Sequence, residues 1–560
     1  MLTYSFENLQ GMPLYEYLYR CIRRDIETGG LKPGEKLPSK RSLARHLGVS
    51  TITVEGAYGQ LVAEGYCTSQ PKRGYYVTAT LPVSLPAELQ SRSQPDGLVD
   101  SLANLDSRSQ SGGDFLLEKV DPSGLKISRR KSPPSRSDHV ARGSATATFD
   151  ARSELASSLG DDESRGSEIS SSSKNVATPE GGGDSSKSLI DFAEGAGNAE
   201  NFPFALWTKL LRRVVAEDAA ALVVRSPAAG VLPLRTAIAD HLLRFRGLAV
   251  RPEQVVVGAG TEYLYGLLVQ FFGRERRFCV ENPGYGRIQR IYESCGARCL
   301  LAGMDEAGVR PDELVRQEAE IVHISPSHHY PTGLIMPISR RYELLGWAAA
   351  DAGRFILEDD YDSEFRLTGR PIPTLMGIDR TGCVLYMNTF SKSLTPTIRI
   401  SYLVLPERLV APFREKLGFY SCTVSNFEQY TLARFLADGH FERHIHRMRT
   451  LYRRRRETIL SLLKHAPFAR QLDLMERGSG LHFLVRFRAA GTTEAIREKL
   501  AATGVRMKAL ADCYVAADEA DEKNTPGIQE KMQGVFVLDY SSVGEEEMKE
   551  AVERIGQALY

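Results

Sequence analysis

The 560-residue chain contains no run of about 18 apolar residues, so no helix within it is expected to span a bilayer. Met1–Gln10 carries polar side chains throughout, which excludes the apolar stretch of a cleavable export signal there. An excess of one charge is missing too. Lys and Arg number 71 against 70 Asp and Glu, and a formal net charge of +1 excludes a polycation. Any surface for nucleic acid must then be local. The eight cysteines include no C-x-x-C pair, and Cys295 and Cys299, the closest two, have no Cys/His set of zinc spacing beside them. Reduced, buried thiols in a cytoplasmic protein without a metal site are the expectation. What is present, 42% apolar and 25% charged residues, describes a soluble globular chain long enough for several domains.

Residues 1–80 read as a compact helical module. Pro13 opens a helix in which Leu14, Leu18, Cys21, Ile22 and Ile26 recur at helical spacing, and Gly29-Gly30 ends it. Ser39 can cap a second helix, Lys40 to Leu47, and Gly48-Val49-Ser50 makes a tight turn. A third helix then buries Val54, Ala57, Tyr58, Leu61 and Val62 and stops at Gly65. Two short helices joined by a glycine-containing turn describe a helix-turn-helix. Tyr66–Ser69 and Tyr75–Val77, joined by Gln70-Pro71-Lys72-Arg73-Gly74, add a two-stranded wing with a basic tip. The basic residues are placed usefully: Lys40, Arg41 and Arg45 on the second helix, and Lys72 and Arg73 on the wing. These positions would straddle phosphates while the third helix, led by Thr51 and Thr53, enters a major groove of double-stranded DNA.

The run Leu37-Pro38-Ser39-Lys40-Arg41-Ser42-Leu43-Ala44, then Leu47-Gly48-Val49-Ser50, Ala57-Tyr58 and Leu61-Val62-Ala63-Glu64-Gly65-Tyr66, resembles the GntR family of winged-helix regulators over essentially the whole module. One departure is on the third helix. Thr51, Thr53 and Glu55 stand where such regulators often carry a basic or amide residue, so the resemblance leaves the base-reading code open.

From 81 to 187 the composition shifts to Ser, Gly, Asp and Arg, as in Ser107–Gly113 and Ser167–Ser173. Such a segment buries too little apolar surface to offset its ordering entropy, and a disordered linker is expected. From 188 to 560 the pattern is α/β. Strand candidates at Gln254–Val257, Arg277–Val280, Glu320–Ile324, Phe355–Leu357, Val384–Met387 and Ser401–Leu405 have helical stretches between several of them. This implies a largely parallel sheet with its site at the strands' carboxyl ends. A smaller α/β segment follows, with strands Leu481–Phe487 and Val535–Leu538. The arginine-rich helix Arg443–Arg456, ahead of that segment, reads as a solvated face or a subunit contact.

Asn388-Thr389-Phe390-Ser391-Lys392 follows one of the strands, with Arg399 seven residues after the lysine. A lysine enclosed by strand ends and apolar neighbours loses hydration, which frees its amine to attack a carbonyl. The hydroxyls of Thr389 and Ser391 and the fork of Arg399 can grip a phosphate beside it. The combination points to pyridoxal 5'-phosphate (PLP), with Lys392 as the Schiff base.

Four further motifs lie between a strand and a loop or helix. Gly258-Ala259-Gly260-Thr261 can cradle an anion at a helix N-terminus. Glu281-Asn282-Pro283-Gly284-Tyr285-Gly286-Arg287 offers a ring to stack on a pyridine and an arginine for a carboxylate. Ser325–Gly333 is a rigid turn, and Glu358-Asp359-Asp360-Tyr361-Asp362 supplies Asp359 for a pyridinium nitrogen and Tyr361 for the phenolic oxygen.

Together, 188–560 resembles a fold type I aminotransferase domain, and the whole chain is similar to the MocR/GabR-like regulators. The resemblance implies a multi-domain architecture: an N-terminal winged helix-turn-helix, mostly α with a β-wing, and an α/β PLP-binding domain with a smaller C-terminal α/β subdomain. It implies catalytic Lys392, Asp359 on the pyridine nitrogen, Tyr361 at the phenolic oxygen and Tyr285 on the ring. Thr389 and Arg399, assisted by Thr261, would hold the phosphate, and Arg287 an effector's carboxylate. It also implies a homodimer that binds an operator and senses PLP, or a small amine or amino acid, by aldimine chemistry at Lys392. The alternative is a PLP-dependent aminotransferase acting on 2-oxo acids with an appended helical module. Two departures count against turnover. Tyr330-Pro331-Thr332-Gly333 replaces the usual Asn-Pro-X-Gly, and Gly534–Tyr540 holds no carboxylate-binding arginine.

Overall fold

The computed structural model describes residues 2, 4, 13–27, 29–63, 65–70, 73–78, 189–193, 201–367, 372–488, 491–515 and 532–560. The expected linker, 81–187, and Lys72 at the wing tip lie outside the described residues.

Three helices form the first module: α1 (Leu14–Glu27), α2 (Lys40–Leu47) and α3 (Thr51–Ala63). Ser39 caps α2 by accepting the Ser42 N–H at 3.2 Å, and Gly48 ends it in the left-handed region at φ 66°, where glycine carries no Cβ penalty. Ser50 caps α3 in the same way through the Thr53 N–H at 3.0 Å. Leu18, Ile22, Ile26, Leu43, Val54, Ala57, Tyr58 and Leu61 interdigitate as its core, and the Tyr58 hydroxyl donates to the Pro38 carbonyl at 2.9 Å. Antiparallel strands β1 (Cys67–Gln70) and β2 (Gly74–Val77) make the wing.

The second module opens with β3 (Ile190–Asp191) and is dominated by an eight-stranded sheet. Its strands are β4 (Val255–Gly258), β5 (Arg277–Asn282), β6 (Arg298–Asp305), β7 (Gly308–Val309), β8 (Ile321–Ile324), β9 (Phe355–Asp359), β10 (Val384–Thr389) and β11 (Ser401–Val404). The order is β4-β11-β10-β9-β8-β5-β6-β7, with β10, β9, β8, β5 and β6 mutually parallel and β11 running against both neighbours. Successive side chains enter opposite layers. Val255, Val257, Tyr386, Tyr402 and Val404 join one apolar cluster, while Val256, Leu385, Met387, Leu403 and Leu405 join another. Burial on both faces is why these strands are near-continuous apolar runs, each fully buried side chain contributing about 1.5–3 kcal/mol.

The smaller sheet is built from β12 (Leu472–Met475), β13 (His482–Phe487), β15 (Lys508–Ala509) and β16 (Val535–Asp539), while the short β14 (Val505–Arg506) pairs with β3. Two differences from the sequence reading are local. The stretch Phe204–Ala221 divides at Asp218 into helices Phe204–Glu217 and Ala219–Leu222, and β6 and β7 were not anticipated because their residues lack a clean alternation.

The arginine run lies in the 26-residue helix His440–His465, where it clasps the rest of the domain. Arg447 donates to the Asn201 carbonyl, Arg449 to that of Glu364, Arg453 to that of Leu367 and Arg455 to that of Ser541. Arg454 and Arg456 pair with Glu545 and Glu476. A helix whose arginines bind carbonyls and carboxylates of its own domain is a structural strut.

Candidate functional site

The carboxyl ends of β4, β5, β8, β9 and β10 open onto a cavity of about 380 Å³, closed on its other side by β13, β15 and β16. Thr261, Tyr285, Arg287, Asp359, Tyr361, Thr389, Lys392 and Arg399, every candidate residue of the PLP reading, line it.

Lys392 lies in the one-turn helix Phe390–Ser393 directly after β10. Thr389 caps that turn by accepting the Ser391 N–H at 3.1 Å, and the Ser393 carbonyl accepts from His444 Nε2 at 2.8 Å, anchoring the turn to the long helix. The lysine side chain is exposed in the cavity, so the apolar enclosure expected from its sequence neighbours is not formed by them. The Thr389 hydroxyl is already well used: besides capping, it accepts from the Ser401 hydroxyl at 2.8 Å and donates to the Ile400 carbonyl at 3.4 Å.

Arg399 takes φ 48°, ψ 34°, a left-handed conformation uncommon for any residue but glycine. Its guanidinium reaches Glu262 at 3.0 Å and passes so close to Gly260 that a Cβ there would lie 2.5 Å from Nη2. Gly260, itself at φ 89°, therefore lets the start of helix Thr261–Phe272 and the arginine share one anion-sized space.

Asp359 ends β9 and is buried. Its Oδ2 accepts from the Tyr265 hydroxyl at 3.0 Å and lies 3.4 Å from His323 Nε2, whose Nδ1 is 3.0 Å from the Tyr292 hydroxyl. Oδ1 is buried with no hydrogen-bond partner. Burial, then the neighbouring Asp362 and Asp359, push the Tyr361 hydroxyl well above its ordinary range, so it stays protonated; it lies 3.3 Å from His328 Nδ1. His328 is in turn 2.8 Å from Asp362. Glu281, buried beneath the Tyr285 loop, accepts the Ser325 N–H at 2.9 Å, and desolvation raises it to about 8.

Sequence reasoning missed Tyr265, His323, His328, His482, Lys508 and Asp539. Tyr265 and His323 sit within ordinary helix and strand patterns, His328 lies in the Ser325–Gly333 turn, which was read only as rigid, and His482, Lys508 and Asp539 lie far along the chain. A polar residue ending a buried apolar strand, as Asp539 does, was the available cue.

Among the described residues, no group of three or more His, Cys, Asp or Glu side chains is arranged to hold a metal, and no helix is long and apolar enough to cross a membrane.

On the first module, Arg41, Arg45 and Arg73 are exposed, while Lys40 pairs with Glu55 of α3 at 2.6 Å. Thr51 is exposed, the Thr53 hydroxyl is bonded to that of Ser50 at 2.8 Å, and Ile52, overlooked in the sequence, stands 80% exposed on α3.

The two modules define a winged-helix protein joined to an aminotransferase-type fold. The model for "Bacterial regulatory proteins, gntR family" matches residues 14–77, and that for "Aminotransferase class I and II" matches 187–555. The chain belongs to the GntR-type transcriptional regulators that carry a class I and II aminotransferase domain, the MocR-like regulators. It is 32% identical over 503 residues to the uncharacterized HTH-type transcriptional regulator YdeL of Bacillus subtilis, covering 90% of each chain. It is 28% identical to the probable rhizopine catabolism regulatory protein MocR of Rhizobium meliloti, covering 98% of this chain and 94% of that one. Among solved structures, the multiple substrate aminotransferase of Thermococcus profundus superposes with a TM-score of 0.57 at 24% identity, over 66% of this chain and 91% of that one. GntR-type regulators bind DNA, and the class I and II aminotransferase fold is PLP-dependent and often dimeric.

Proposed function

We propose that the chain is a DNA-binding transcriptional regulator whose winged helix (within 1–80) docks on an operator, and whose aminotransferase-like domain (188–560) holds PLP and responds to a small amine or amino acid. The observation that carries the cofactor reading is the buried, unpartnered Oδ1 of Asp359, facing a cavity that also holds Lys392 and the Arg399–Gly260 cradle. A buried carboxylate oxygen without a donor is costly, and a pyridinium N–H is the donor this pocket suits. Asp359 would hold the ring nitrogen, Tyr361 the phenolic oxygen and Tyr285 the ring face. Arg399, Thr261 and Thr389, with Ser391, would hold the phosphate. Arg287 would receive an effector's carboxylate. Bound there, PLP supplies an aldehyde that condenses with primary amines. The chain's own part is to place the Lys392 amine, keep the Tyr361 proton and fix the phosphate.

Homodimerisation through the aminotransferase-like domain would give two winged helices, which read two half-sites and add their discrimination. A regulator of this kind works in the cytoplasm. The test is to load the purified chain with PLP, remove free cofactor, and record its visible absorbance and operator binding with and without amines. Retained absorbance and an amine-dependent change in operator affinity are expected. A chain that retains no PLP, or an operator affinity indifferent to cofactor and amines alike, overturns the reading.

A further inference from the structure

We infer that the effector carries a second protonated nitrogen, besides the amine presented to Lys392, and that Asp539 and His482 receive it. The inference rests on the amine-effector reading above and names the ligand's class.

The small-domain side of the cavity carries it. Asp539 ends β16 and lines the cavity, and the register of the antiparallel pair sets His482 of β13 directly opposite, so both side chains stand on one face. Asp539 is 9% exposed. Its Oδ1 accepts from the Ser541 N–H at 2.9 Å and the Ser541 hydroxyl at 2.6 Å; among the described residues nothing is bonded to Oδ2 and no cation lies within ion-pairing distance. His482 is 6% exposed and its Nε2 has no hydrogen-bond partner. A neutral imidazole protonated on Nδ1 presents Nε2 as a bare acceptor, the tautomer that an incoming ammonium selects. Burial, then His328 and the Lys392 ammonium, hold His482 well below its ordinary value, which keeps it neutral.

This wall thus offers a carboxylate oxygen and an imidazole lone pair, two acceptors without a donor. Of the other charges nearby, Lys392 would be taken up by the cofactor under the reading above. Lys508 lies across the ring of Tyr330, 5.5 Å from its centre, and Asp362 is engaged by His328. A ligand carboxylate here would meet like charge and a lone pair, and β16 supplies Val537 and Leu538 in place of any arginine. An ammonium satisfies both acceptors, and charge-assisted hydrogen bonds to buried groups are the stronger kind. The nitrogen can belong to a diamine or to a diamino acid, the latter also using Arg287.

The test uses the full chain loaded with PLP and two ligand comparisons, read by calorimetric titration and by operator mobility. The first sets 1,3-diaminopropane, 1,4-diaminobutane and 1,5-diaminopentane against the monoamines of equal carbon count. The second sets 2,4-diaminobutyrate against 2-aminobutyrate. The second nitrogen is expected to tighten binding by about tenfold or more in at least one comparison. A gain in the first marks a diamine as sufficient; a gain confined to the second marks a carboxylate as also read. No gain in either, or tighter binding of 4-aminobutyrate than of 1,4-diaminobutane, overturns the inference. Asp539→Asn should bring the ratio within each pair close to one, and His482→Phe should lower it. Because the ratio is taken on one protein, a general weakening of the site does not imitate the result. An unchanged ratio in Asp539→Asn also overturns the inference. If Asp539→Asn does not fold, the unmodified chain's ligand series decides alone. Failure of the underlying reading shows earlier, as absence of retained PLP before any amine is added, and then both fall.

Discussion

The winged helix carries its candidate DNA-facing residues on two short segments, α2 with the start of α3 and the wing, and exposes Arg41, Arg45, Thr51 and Arg73. The cavity gathers side chains from Thr261 to Asp539, on loops and strand ends separated by hundreds of residues, and turns them inward. In the first region, neighbours in sequence are neighbours in space, so caps, periodicity and a count of arginines find the surface. In the second, the chemistry depends on which strand end the topology sets beside which. The two regions should therefore respond differently to mutation. Exposed arginines should act as separable increments, whereas cavity residues should act as one set whose members fail together.

The largest effect expected is at Lys392. Lys392→Ala should abolish the visible absorbance of bound PLP and its retention through gel filtration, with thermal unfolding little changed, because the side chain is exposed in the cavity and supports no packing. Unaltered absorbance would remove Lys392 from the site. Operator binding without effector should survive the substitution, since Lys392 lies outside residues 1–80.

The legibility of the two regions differs for physical reasons. The Ser39 cap and the glycine stop at Gly48 were readable because each is a local rule. Lys392, Asp359 and Arg399 were readable because strand ends in a parallel sheet are marked by abrupt changes from apolar to polar residues. The Asp359–His323–Tyr292 chain was not, because a histidine inside Ile321–Ile324 resembles any strand residue until the register sets β8 beside β9. Nor did the sequence disclose that Thr389 is consumed by Ser391 and Ser401, or that Lys40 is held by Glu55. The arginine run was legible only as charge; its carbonyl partners come from Asn201, Glu364, Leu367 and Ser541, which no local pattern connects to it.

The second effect in size belongs to the exposed surface. Replacing Arg41 and Arg45 together with Gln should weaken DNA binding on specific and random duplexes alike. The log–log salt slope should become shallower by roughly one for each phosphate that is no longer neutralised. Both arginines are exposed on α2, so folding should be untouched. Equal slopes for variant and parent would show that α2 does not lie along a phosphate backbone. A subtler change on the same module is Ile52→Ala. An apolar side chain 80% exposed on α3 suits a thymine methyl better than a phosphate. Operator affinity should fall by about tenfold while random duplex affinity and the salt slope hold. A fall on both duplexes would instead make Ile52 a structural residue.

The last effect tests whether the inward-facing site costs the fold something that the outward-facing one does not. Glu281 is buried under the Tyr285 loop, and desolvation lifts it from 4.5 to about 8, with Asp359 adding to the rise and the Ser325 N–H opposing it. The folded chain therefore keeps a proton that the unfolded chain releases once pH passes the ordinary carboxyl range. Between those two values the native state binds more protons, so this residue's contribution to stability falls as pH rises through the window. Glu281→Gln removes the titration yet keeps an oxygen for the Ser325 N–H. Relative to the parent, the variant should gain on the order of 1–3 kcal/mol in going from about pH 5 to about pH 8. Denaturant unfolding at the two pH values measures it. A variant that tracks the parent at both would mean that Glu281 meets a compensating donor as it ionises, with His329 Nε2 at 3.5 Å the nearest candidate. The cavity would then hold its buried carboxyl at no pH-dependent cost, and in this respect the two regions would be alike.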